Sequence, residues 1–397
     1  MAPQHQSYDV VIVGGAIYGS SVAWWLTQMD GFDGRVLVVE RDLTYAQAAT
    51  SHTNSCIRQQ FSNQANISVS QFGAEFIKNF QSYMGHDPDV PQLTLQSYGY
   101  LYLADTPEFA ATLKDVQKVQ ETLGAATQYM TREEIAADYP FYQLDDIIGA
   151  NHNRVDEGYF DGGTMFDGFK RMARKNGVEY IEDEAIAMTR NAGRIEAVTL
   201  KSGSKITCDV VVNASGTRGA LTARMAGLDL PIEPRRRYSY IFDAAHPLDR
   251  DLPLTIDPSG VHFRSDGRYY LAGGPPEEDP AVDFDDFDAD HGLWEDKFWP
   301  VIANRIPQFE QIKLINMWVG HYDYNTLDQN AILGPHPEVA NFMFCNGFSG
   351  HGLQQSPALG RGLAEHIAFG GYRTLDLTPF GVERVLQGET FLEKAVI

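Results

Sequence analysis

A turn near the start of the chain carries small residues at the spacing of a dinucleotide-binding loop. Gly14, Ala16 and Gly19 stand at the three positions of the Gly-x-Gly-x-x-Gly pattern, with alanine in place of the middle glycine. In such a loop, backbone N–H groups at a helix start hold a pyrophosphate. Glu40 ends the next apolar run, where a carboxylate can accept hydrogen bonds from ribose. A strand–helix–strand unit that binds no nucleotide is the alternative.

Two more turns of small residues follow apolar runs elsewhere in the chain. "FMFCNGFSGHG" places Gly347, Gly350 and Gly352 before a helical pattern, and "DVVVNASG" ends in Ala214, Ser215 and Gly216. In doubly wound sheets a ligand lies where such strands end. The C-terminal turn therefore offers a second place for a negative or electron-rich group. A glycine-rich loop without a ligand is the alternative.

The elements around these turns are those of an α/β protein. "DVVIVGG" and "RVLVVE" (35–40) are β-branched runs typical of buried parallel strands, and a helical pattern separates them. "YGYLYLA", "YSYIFDA" and "YYLAGG" favour half-buried strands of a second domain. Thr106 and Pro107 predict the start of an amphipathic helix.

Composition excludes several classes of protein. The formal net charge of -22 over 397 residues opposes a nucleic-acid partner. Cys56, Cys208 and Cys345 are scattered, which predicts neither disulfides nor a zinc site and fits a reducing compartment. The acidic run 275–292 lacks calcium-loop spacing, so we expect no metal. The start shows no signal peptide and no run is long enough to span a membrane, so a soluble, cytoplasmic protein is expected.

Together, the opening turn, "VVNASGTRG" and "GFSGHGLQQSPALGRGLAEHI" resemble the D-amino-acid-oxidase-type FAD oxidoreductases, which include glycine oxidase, sarcosine oxidase and dimethylglycine dehydrogenase. "PIEPRRRYSYIF" and "WVGHYDYNTLDQNAILGPHPEVANFMFCNGFSGHGLQQ" resemble in particular the FAD-dependent oxidoreductase domain-containing protein 1 group. The likeness covers nearly the whole chain. It implies a Rossmann-like, glutathione-reductase-2-like FAD domain (1–85, 151–225 and 319–397). It also implies an α+β substrate domain (86–150 and 226–318) with a mixed, largely antiparallel sheet.

The resemblance also implies which residues bind FAD. The ADP half is expected to contact Gly14, Gly15, Gly19, Glu40, Arg41, the backbone of Ile186, Ala214 and Gly216. The flavin and ribityl chain are expected beside Gly347, Phe348, Gly350, His351, Gly352 and Leu353. Neighbouring positions complete the expected set: Ala16, Ile17, Tyr18, Ser51, His52, Thr53, Ser215 and Gln354.

Departures from the family pattern bear on chemistry. Tyr270 aligns near a lysine linked to oxygen activation, which favours a dehydrogenase over an oxidase. Gly320 replaces a cysteine that tethers FAD in sarcosine oxidases. His52 aligns near a histidine that bonds the flavin in dimethylglycine dehydrogenase-like proteins, so a covalent link or simple packing are both open.

Candidate substrate contacts come from the same comparison of motifs. Gln354 replaces a lysine that grips a carboxylate, so another cation is needed for an anionic substrate. Arg58 is the first choice and Arg264 the second, since a guanidinium suits a carboxylate. Structural ion pairs are the alternative for both. Tyr322 and Tyr324 are expected to form an aromatic wall, or to be core residues. His262 and His321 are weaker candidates.

The predicted function is oxidation of the C–N bond of an amino acid or secondary amine by hydride transfer to flavin N5. His351 is expected to stabilise negative charge on the reduced flavin. The electron acceptor (oxygen, a quinone or an electron-transfer protein) stays open. Oxidation of a 2-hydroxy acid at the same site is one alternative. A flavin-binding protein that assembles a partner complex is the other.

Overall fold

A computed structural model of the chain describes residues 2–394, in which eighteen strands form three sheets. In chain order the strands are β1 (Ser7–Val13), β2 (Val36–Glu40), β3 (Cys56–Ile57), β4 (Tyr100–Ala104), β5 (Gln128–Thr131), β6 (Gly149–Asn153), β7 (Gly158–Tyr159), β8 (Glu179–Glu182), β9 (Ala185–Asn191), β10 (Arg194–Leu200), β11 (Lys205–Asn213), β12 (Ile232–Ala244), β13 (Leu254–Ile256), β14 (His262–Asp266), β15 (Tyr269–Gly274), β16 (Ile312–Asn325), β17 (Ile332–His336) and β18 (Val339–Asn346).

Ten α-helices accompany these strands in the described part of the chain. They are α1 (Ile17–Leu26), α2 (Gln64–Lys78), α3 (Phe80–Tyr83), α4 (Pro107–Thr122), α5 (Arg132–Asp138), α6 (Gly162–Lys175), α7 (Gly219–Met225), α8 (Trp299–Arg305), α9 (Gly352–Phe369) and α10 (Val382–Gln387). The predicted start of α4 is confirmed, because the Thr106 side chain accepts a hydrogen bond from Phe109 N at 3.2 Å.

The first sheet is the α/β part of the molecule. Its main strand order is β17-β18-β11-β1-β2-β8, and β10 and β9 extend β11 on one edge. β8, β2, β1, β11 and β18 run parallel. Every residue of α1 is buried, because the helix packs between this sheet, α6 and α9. The apolar run and the helical pattern of the opening segment thus form one buried strand–helix–strand unit.

The second sheet is mixed and largely antiparallel, as predicted. Its order is β16-β12-β15-β14-β13-β4-β6-β5, and only the β13–β4 pair is parallel. One face packs on an aromatic core that includes Tyr240, Phe242 and Trp294. The other face is turned to the first sheet, and residues of both sheets line one pocket, to which this face contributes His262 and Gly320.

The sheets also bear on the proposed division into domains. β6 spans position 150 and β16 spans position 318, so two of the four proposed boundaries fall inside strands of the second sheet. The chain returns to the first sheet only after Asn325. None of the helices in residues 2–394 has the length and apolar character needed to cross a membrane.

Candidate active site

A large pocket lies between the two sheets, with a cavity volume of about 320 Å³. Its walls come from the carboxyl ends of β1, β2 and β11, the segment 47–58, the turn 348–354 and one face of the second sheet. All three small-residue turns of the sequence contribute to it, as expected for strand ends in a doubly wound fold.

The opening turn is held by close backbone contacts. Gly14 has a φ of +99°, and a Cβ there would lie 2.3 Å from the carbonyl oxygen of Ala214. A Cβ on Gly19 would lie 1.8 Å from the carbonyl oxygen of Gly14. Both positions therefore require glycine, the first for conformation and the second for helix–turn packing.

Ala16 needs no glycine in this turn. Its φ is -68°, which any residue adopts, and its side chain lines the pocket beside Ile17 and Tyr18. The methyl group narrows the approach to the turn without straining the backbone. The departure from the glycine pattern is thus compatible with a nucleotide at this helix start.

Glu40 closes the turn from the neighbouring strand. Its carboxylate accepts from Gly15 N at 2.7 Å and from Asp42 N at 3.0 Å, and burial raises the pKa of this carboxyl. Each oxygen keeps a further lone pair for a ribose hydroxyl. Arg41 also lines the pocket. Gly15 and Gly19 do not line it; they shape the turn.

The C-terminal turn is held by a carboxylate. Asp323, on β16, accepts from Gly347 N at 2.9 Å and from Phe348 N at 3.2 Å. Burial raises the pKa of Asp323 to about 6. Gly347 itself lies outside the pocket wall, whereas Phe348, Gly350, Gly352 and Leu353 are in it.

His351 is a neutral hydrogen-bond donor in the pocket wall. Arg58 Nη2 lies 3.0 Å from His351 Nε2, so that nitrogen accepts and the ring proton is on Nδ1. Burial and the charge of Arg58 lower the pKa of His351 to about 3. The buried Nδ1 has no partner among the described residues, which leaves one N–H for a ligand.

Arg58 is committed to protein acceptors. Besides His351, its guanidinium donates to the carbonyl of Gln60 and lies 3.9 Å from the Phe61 ring centre. Gln354 bonds the backbone of Arg58 rather than its guanidinium. The Gln354 Oε1 accepts from the backbone N of Arg58 at 2.7 Å. Both residues line the pocket, with Arg58 only 1% exposed.

Two predicted residues, Tyr270 and Arg264, do not line the pocket, for different reasons. Tyr270 pairs with Phe242 and packs on Phe309 in the aromatic core, and its hydroxyl accepts from Leu248 N at 2.9 Å. Its neighbour Leu271 occupies the opposite face, and one residue of register decides which side a strand position faces. Arg264 lies on the pocket-side face but is spent on Asp266, Ser265 O and Asn54 O.

Other predicted contacts shift by a residue or two. Ile186 is 50% exposed and does not line the pocket, whereas Ala185 does. Ser51 turns back to the carbonyl of Tyr45 at 2.8 Å, while His52 and Thr53 line the pocket. Ala214, Ser215 and Gly216 all lie in the pocket wall.

His52 and Gly320 occupy adjoining space. A Cβ on Gly320 would lie 2.7 Å from the Cβ of His52, so glycine makes room for the histidine. His52 Nδ1 is 3.1 Å from the carbonyl oxygen of Ala48, which leaves Nε2 free of that contact. The half-buried ring thus stands in the pocket with one nitrogen available.

Tyr322 and Arg237 form part of the pocket wall, and only Tyr322 was predicted from the sequence. Tyr322 lines the pocket and its ring lies against Gly350, and the Arg237 guanidinium carbon is 4.7 Å from the ring centre. Arg237 and Asp323 both lie in quoted motifs, "EPRRRY" and "YDYN". Alternation along β12 and β16 places Arg237 on the same face as Gly320 and Tyr322 and could have selected it, whereas no alternation signal selects Asp323, the direct neighbour of Tyr322.

Asn54 links two further pocket residues, Ser239 and His262, of which only His262 was predicted from the sequence. Ser239 Oγ donates to Asn54 Oδ1 at 2.9 Å, and Asn54 Nδ2 lies 2.9 Å from His262 Nε2. Burial lowers the pKa of His262 to about 4, so this ring is neutral. His321 also lines the pocket, and its Nε2 donates to the carbonyl of Asp286 at 2.7 Å.

The pocket fits a dinucleotide that carries an aromatic ring system. Buried polar atoms that lack a partner within residues 2–394 face it from several sides: Tyr18 OH, Tyr45 OH, His262 Nδ1 and His351 Nδ1. Gly216, with a φ of +54°, leaves open space where a Cβ would stand. A ligand with several acceptors would satisfy these donors.

Comparison with known proteins decides the family. The sequence profile described as FAD dependent oxidoreductase (DAO) matches residues 9–366. The chain belongs to the DAO family of FAD-dependent oxidoreductases. FAD-dependent oxidoreductase domain-containing protein 1 of Xenopus laevis is 36% identical over 98% of this chain and 85% of its own length. The resemblance inferred from the motifs is thus confirmed.

Structures of DAO-family flavoenzymes share the fold. L-proline dehydrogenase from P. horikoshii superposes with a TM-score of 0.85 and 25% identity, covering 97% of this chain and 99% of that one. Sarcosine oxidase subunit beta of Rhodobacter capsulatus is 21% identical over 98% of this chain and 91% of its length. Family membership implies that the protein binds FAD.

Proposed function

We propose that this DAO-family chain oxidises the C–N bond of an amino acid or N-substituted amine to an imine, which water then hydrolyses. The observation that carries the proposal is one part of the pocket wall, where the Arg237 guanidinium lies over the Tyr322 ring, Tyr322 lies against Gly350 and the neighbouring His351 is neutral. The amine-oxidising names of relatives and structural neighbours support it.

Bound FAD would accept a hydride from the carbon next to the substrate nitrogen. The first turn would hold its pyrophosphate and Glu40 its ribose. Gly350, Gly352 and Leu353 would border the flavin ring. His351 would donate its Nδ1–H toward developing negative charge, an electrostatic contribution that needs no proton transfer. Tyr322 would orient the substrate by contact with its ring.

Oxidation of an amine needs less acid–base chemistry than oxidation of a 2-hydroxy acid. A hydroxy acid requires a base at the hydroxyl, and Nε2 of both His351 and His262 already accepts a hydrogen bond. This favours the amine over the hydroxy-acid alternative.

We propose a dehydrogenase, with oxygen a poor acceptor. Tyr270 no longer supports this, since it lies in the aromatic core. The support is instead that the pocket-lining residues of the described chain include no lysine. Stopped-flow reoxidation of the reduced protein by oxygen, a quinone and a dye would identify the acceptor class. Rapid reoxidation by oxygen would contradict the proposal.

We also propose that His52 forms the covalent link to FAD. The support is its place in the pocket wall with Nε2 free and Gly320 beside it. Fluorescence of the acid-denatured protein on a gel should show bound flavin that His52→Asn removes. Flavin released entirely by acid would show that His52 only packs.

The decisive experiment is anaerobic reduction of the purified flavoprotein by a panel of N-methyl, cyclic and primary amino acids and matched 2-hydroxy acids. Bleaching of the flavin band by an amine, and not by its hydroxy analogue, is expected. A yellow protein that no substrate bleaches would favour a flavin-binding assembly role. The cytoplasm is the proposed compartment, supported by the three free cysteines, and cell fractionation tests it.

A further inference from the structure

An acidic strap, defined as residues 276–290, crosses the mouth of the pocket on a platform of arginines. Asp285 lies 3.4 Å from Arg41 and 2.9 Å from Arg218, both pocket-lining residues. Farther along, Asp286 pairs with Arg236 at 3.4 Å. Phe287 stacks on His321 with ring centres 4.1 Å apart. The strap therefore spans from the ADP-side turns to the face of the second sheet.

One strap carboxylate holds an arginine of the pocket itself. Asp279 accepts from Arg237 Nη1 at 2.7 Å and from Nη2 at 2.9 Å, a two-pronged pair. A substrate carboxylate binds a guanidinium in this same geometry. The side chains of Arg237 and Asp279 are 15% and 25% exposed, so the pair sits at the rim of the pocket and within reach of solvent.

Arg237 is the pocket arginine that lies beside the proposed substrate wall, whereas Arg41 and Arg218 pair with Asp285 on the ADP side. Arg58 is 1% exposed and donates to protein atoms, and Arg264 does not line the pocket. The Arg237 guanidinium carbon is 4.7 Å from the centre of the Tyr322 ring, which is in the proposed substrate wall.

We propose that Arg237 anchors the carboxylate of an anionic substrate and that Asp279 is its internal competitor, which the substrate displaces. This rests on the proposed function for the identity of the substrate. When Asp279 leaves Arg237, Arg235 keeps the strap in place, since its guanidinium donates to the carbonyl of Asp279 and lies 3.7 Å from its carboxylate.

The arrangement makes the pocket selective against neutral amines and weak anions. A ligand without a carboxylate leaves the Arg237–Asp279 pair intact and gains no ion pair. A ligand with a correctly placed carboxylate replaces Asp279 and pairs with the freed guanidinium. The net gain is smaller than for a free arginine, because one charge pair is exchanged for another.

The test uses benzoate and benzamide, which have the same ring and differ in charge, titrated against the FAD-loaded protein. Binding is followed by perturbation of the flavin absorbance, which needs no turnover. Asp279→Asn is expected to tighten benzoate about tenfold and to change benzamide by less than about twofold. Arg237→Gln is expected to abolish the preference for benzoate.

Asp283→Asn is the matched control, since it removes one strap charge that makes no ion pair within the described residues, and it should change neither titration. Flavin content and melting temperature verify that each variant is folded. Unchanged or weaker benzoate binding in Asp279→Asn would overturn the proposal, as would a retained preference in Arg237→Gln. If no amine bleaches the flavin while these shifts occur, only the proposed function fails.

Discussion

At the scale of single residues, a chain of buried hydrogen-bonded groups leads from Glu157 to Arg58 and His351 in the pocket wall. Glu157 is completely buried and accepts from Gln60 Nε2 at 2.9 Å and from Gln59 N at 2.6 Å. Gln60 in turn accepts from Arg58, which donates to His351. Gln60 thus lies between the buried guanidinium of Arg58 and the buried carboxyl of Glu157. At the other end of the chain of hydrogen bonds, the neutral His351 ring lines the pocket.

His351→Leu should reduce turnover about 100-fold and lower the midpoint potential of bound FAD, because the N–H donor toward developing charge is lost. Burial keeps the pKa of His351 at about 3, so the wild-type rate should show no change between pH 5 and 8 from this residue. Steady-state kinetics and equilibrium dye reduction measure both. If the wild-type rate changed between pH 5 and 8 and this change were absent in His351→Leu, the histidine would titrate in that range instead.

Glu157→Gln should change the pH dependence of stability in a defined direction. Burial raises the pKa of Glu157 to about 7 from 4.5, so its protonated form favours the fold at low pH. That contribution is complete below about 4.5 and is lost as the pH rises through 7.

Denaturant unfolding of wild type and Glu157→Gln at pH 5 and 8 measures this effect. The wild type should lose about 1–3 kcal/mol relative to the variant between these pH values. Glu133→Gln, at an exposed residue of α5, is the control. A difference between wild type and Glu157→Gln that stays constant with pH would contradict the assignment.

At the scale of elements, glycine is required by contacts rather than by the pattern alone. Gly19 and Ala16 belong to the same turn, but only position 19 excludes a side chain. A Cβ at position 19 meets the carbonyl of Gly14 at 1.8 Å, whereas Ala16 already carries a Cβ with an ordinary φ of -68°.

Gly19→Ala should destabilise the protein by about 3 kcal/mol and reduce the amount of bound FAD, because backbone atoms must move apart. Ala16→Gly, the matched control in the same turn, should change stability by less than about 1 kcal/mol and retain FAD. Denaturant unfolding and the flavin-to-protein absorbance ratio measure the two effects. Normal flavin loading of Gly19→Ala would rule out the proposed packing.

At the scale of the whole molecule, one buried ion pair anchors the crossing between the sheets. The linker 326–331 carries the chain from β16 back to β17, and its Asp328 is 1% exposed. Arg384, on α10, pairs with Asp328 at 2.8 Å and also donates to the carbonyl of Ala331 at 2.9 Å. The C-terminal helix thus holds the linker between the sheets that form the pocket.

Arg384→Met should lower the free energy of unfolding by about 3–5 kcal/mol, since it leaves a carboxylate buried without its cation. Adding Asp328→Asn should recover part of the loss, because the uncompensated charge is gone. Equilibrium unfolding of the single and double variants provides the comparison. Equal stability of Arg384→Met and the wild type would show that the pair is not structurally important.

The sequence by itself determined the family, the fold class and the cofactor. Short-range patterns carry these: a buried apolar run, a glycine-dependent turn and a helix are adjacent in the chain, so their spacing is visible without a structure. Gly14, Glu40, the 214–216 turn and the 348–353 turn are therefore found in or against the pocket wall where the motifs placed them.

Only the tertiary structure decided which side chains of the second sheet reach the pocket. Strand neighbours face opposite sides, so an alignment uncertain by one position exchanges a core residue such as Tyr270 for one on the pocket-side face. Contacts between residues far apart in the sequence could not be predicted from it either. Examples are the hydrogen bond of Asp323 to the 347–348 backbone and the ion pair of Asp279 with Arg237. Such contacts depend on how sheets and strap come together, which local residue patterns do not encode.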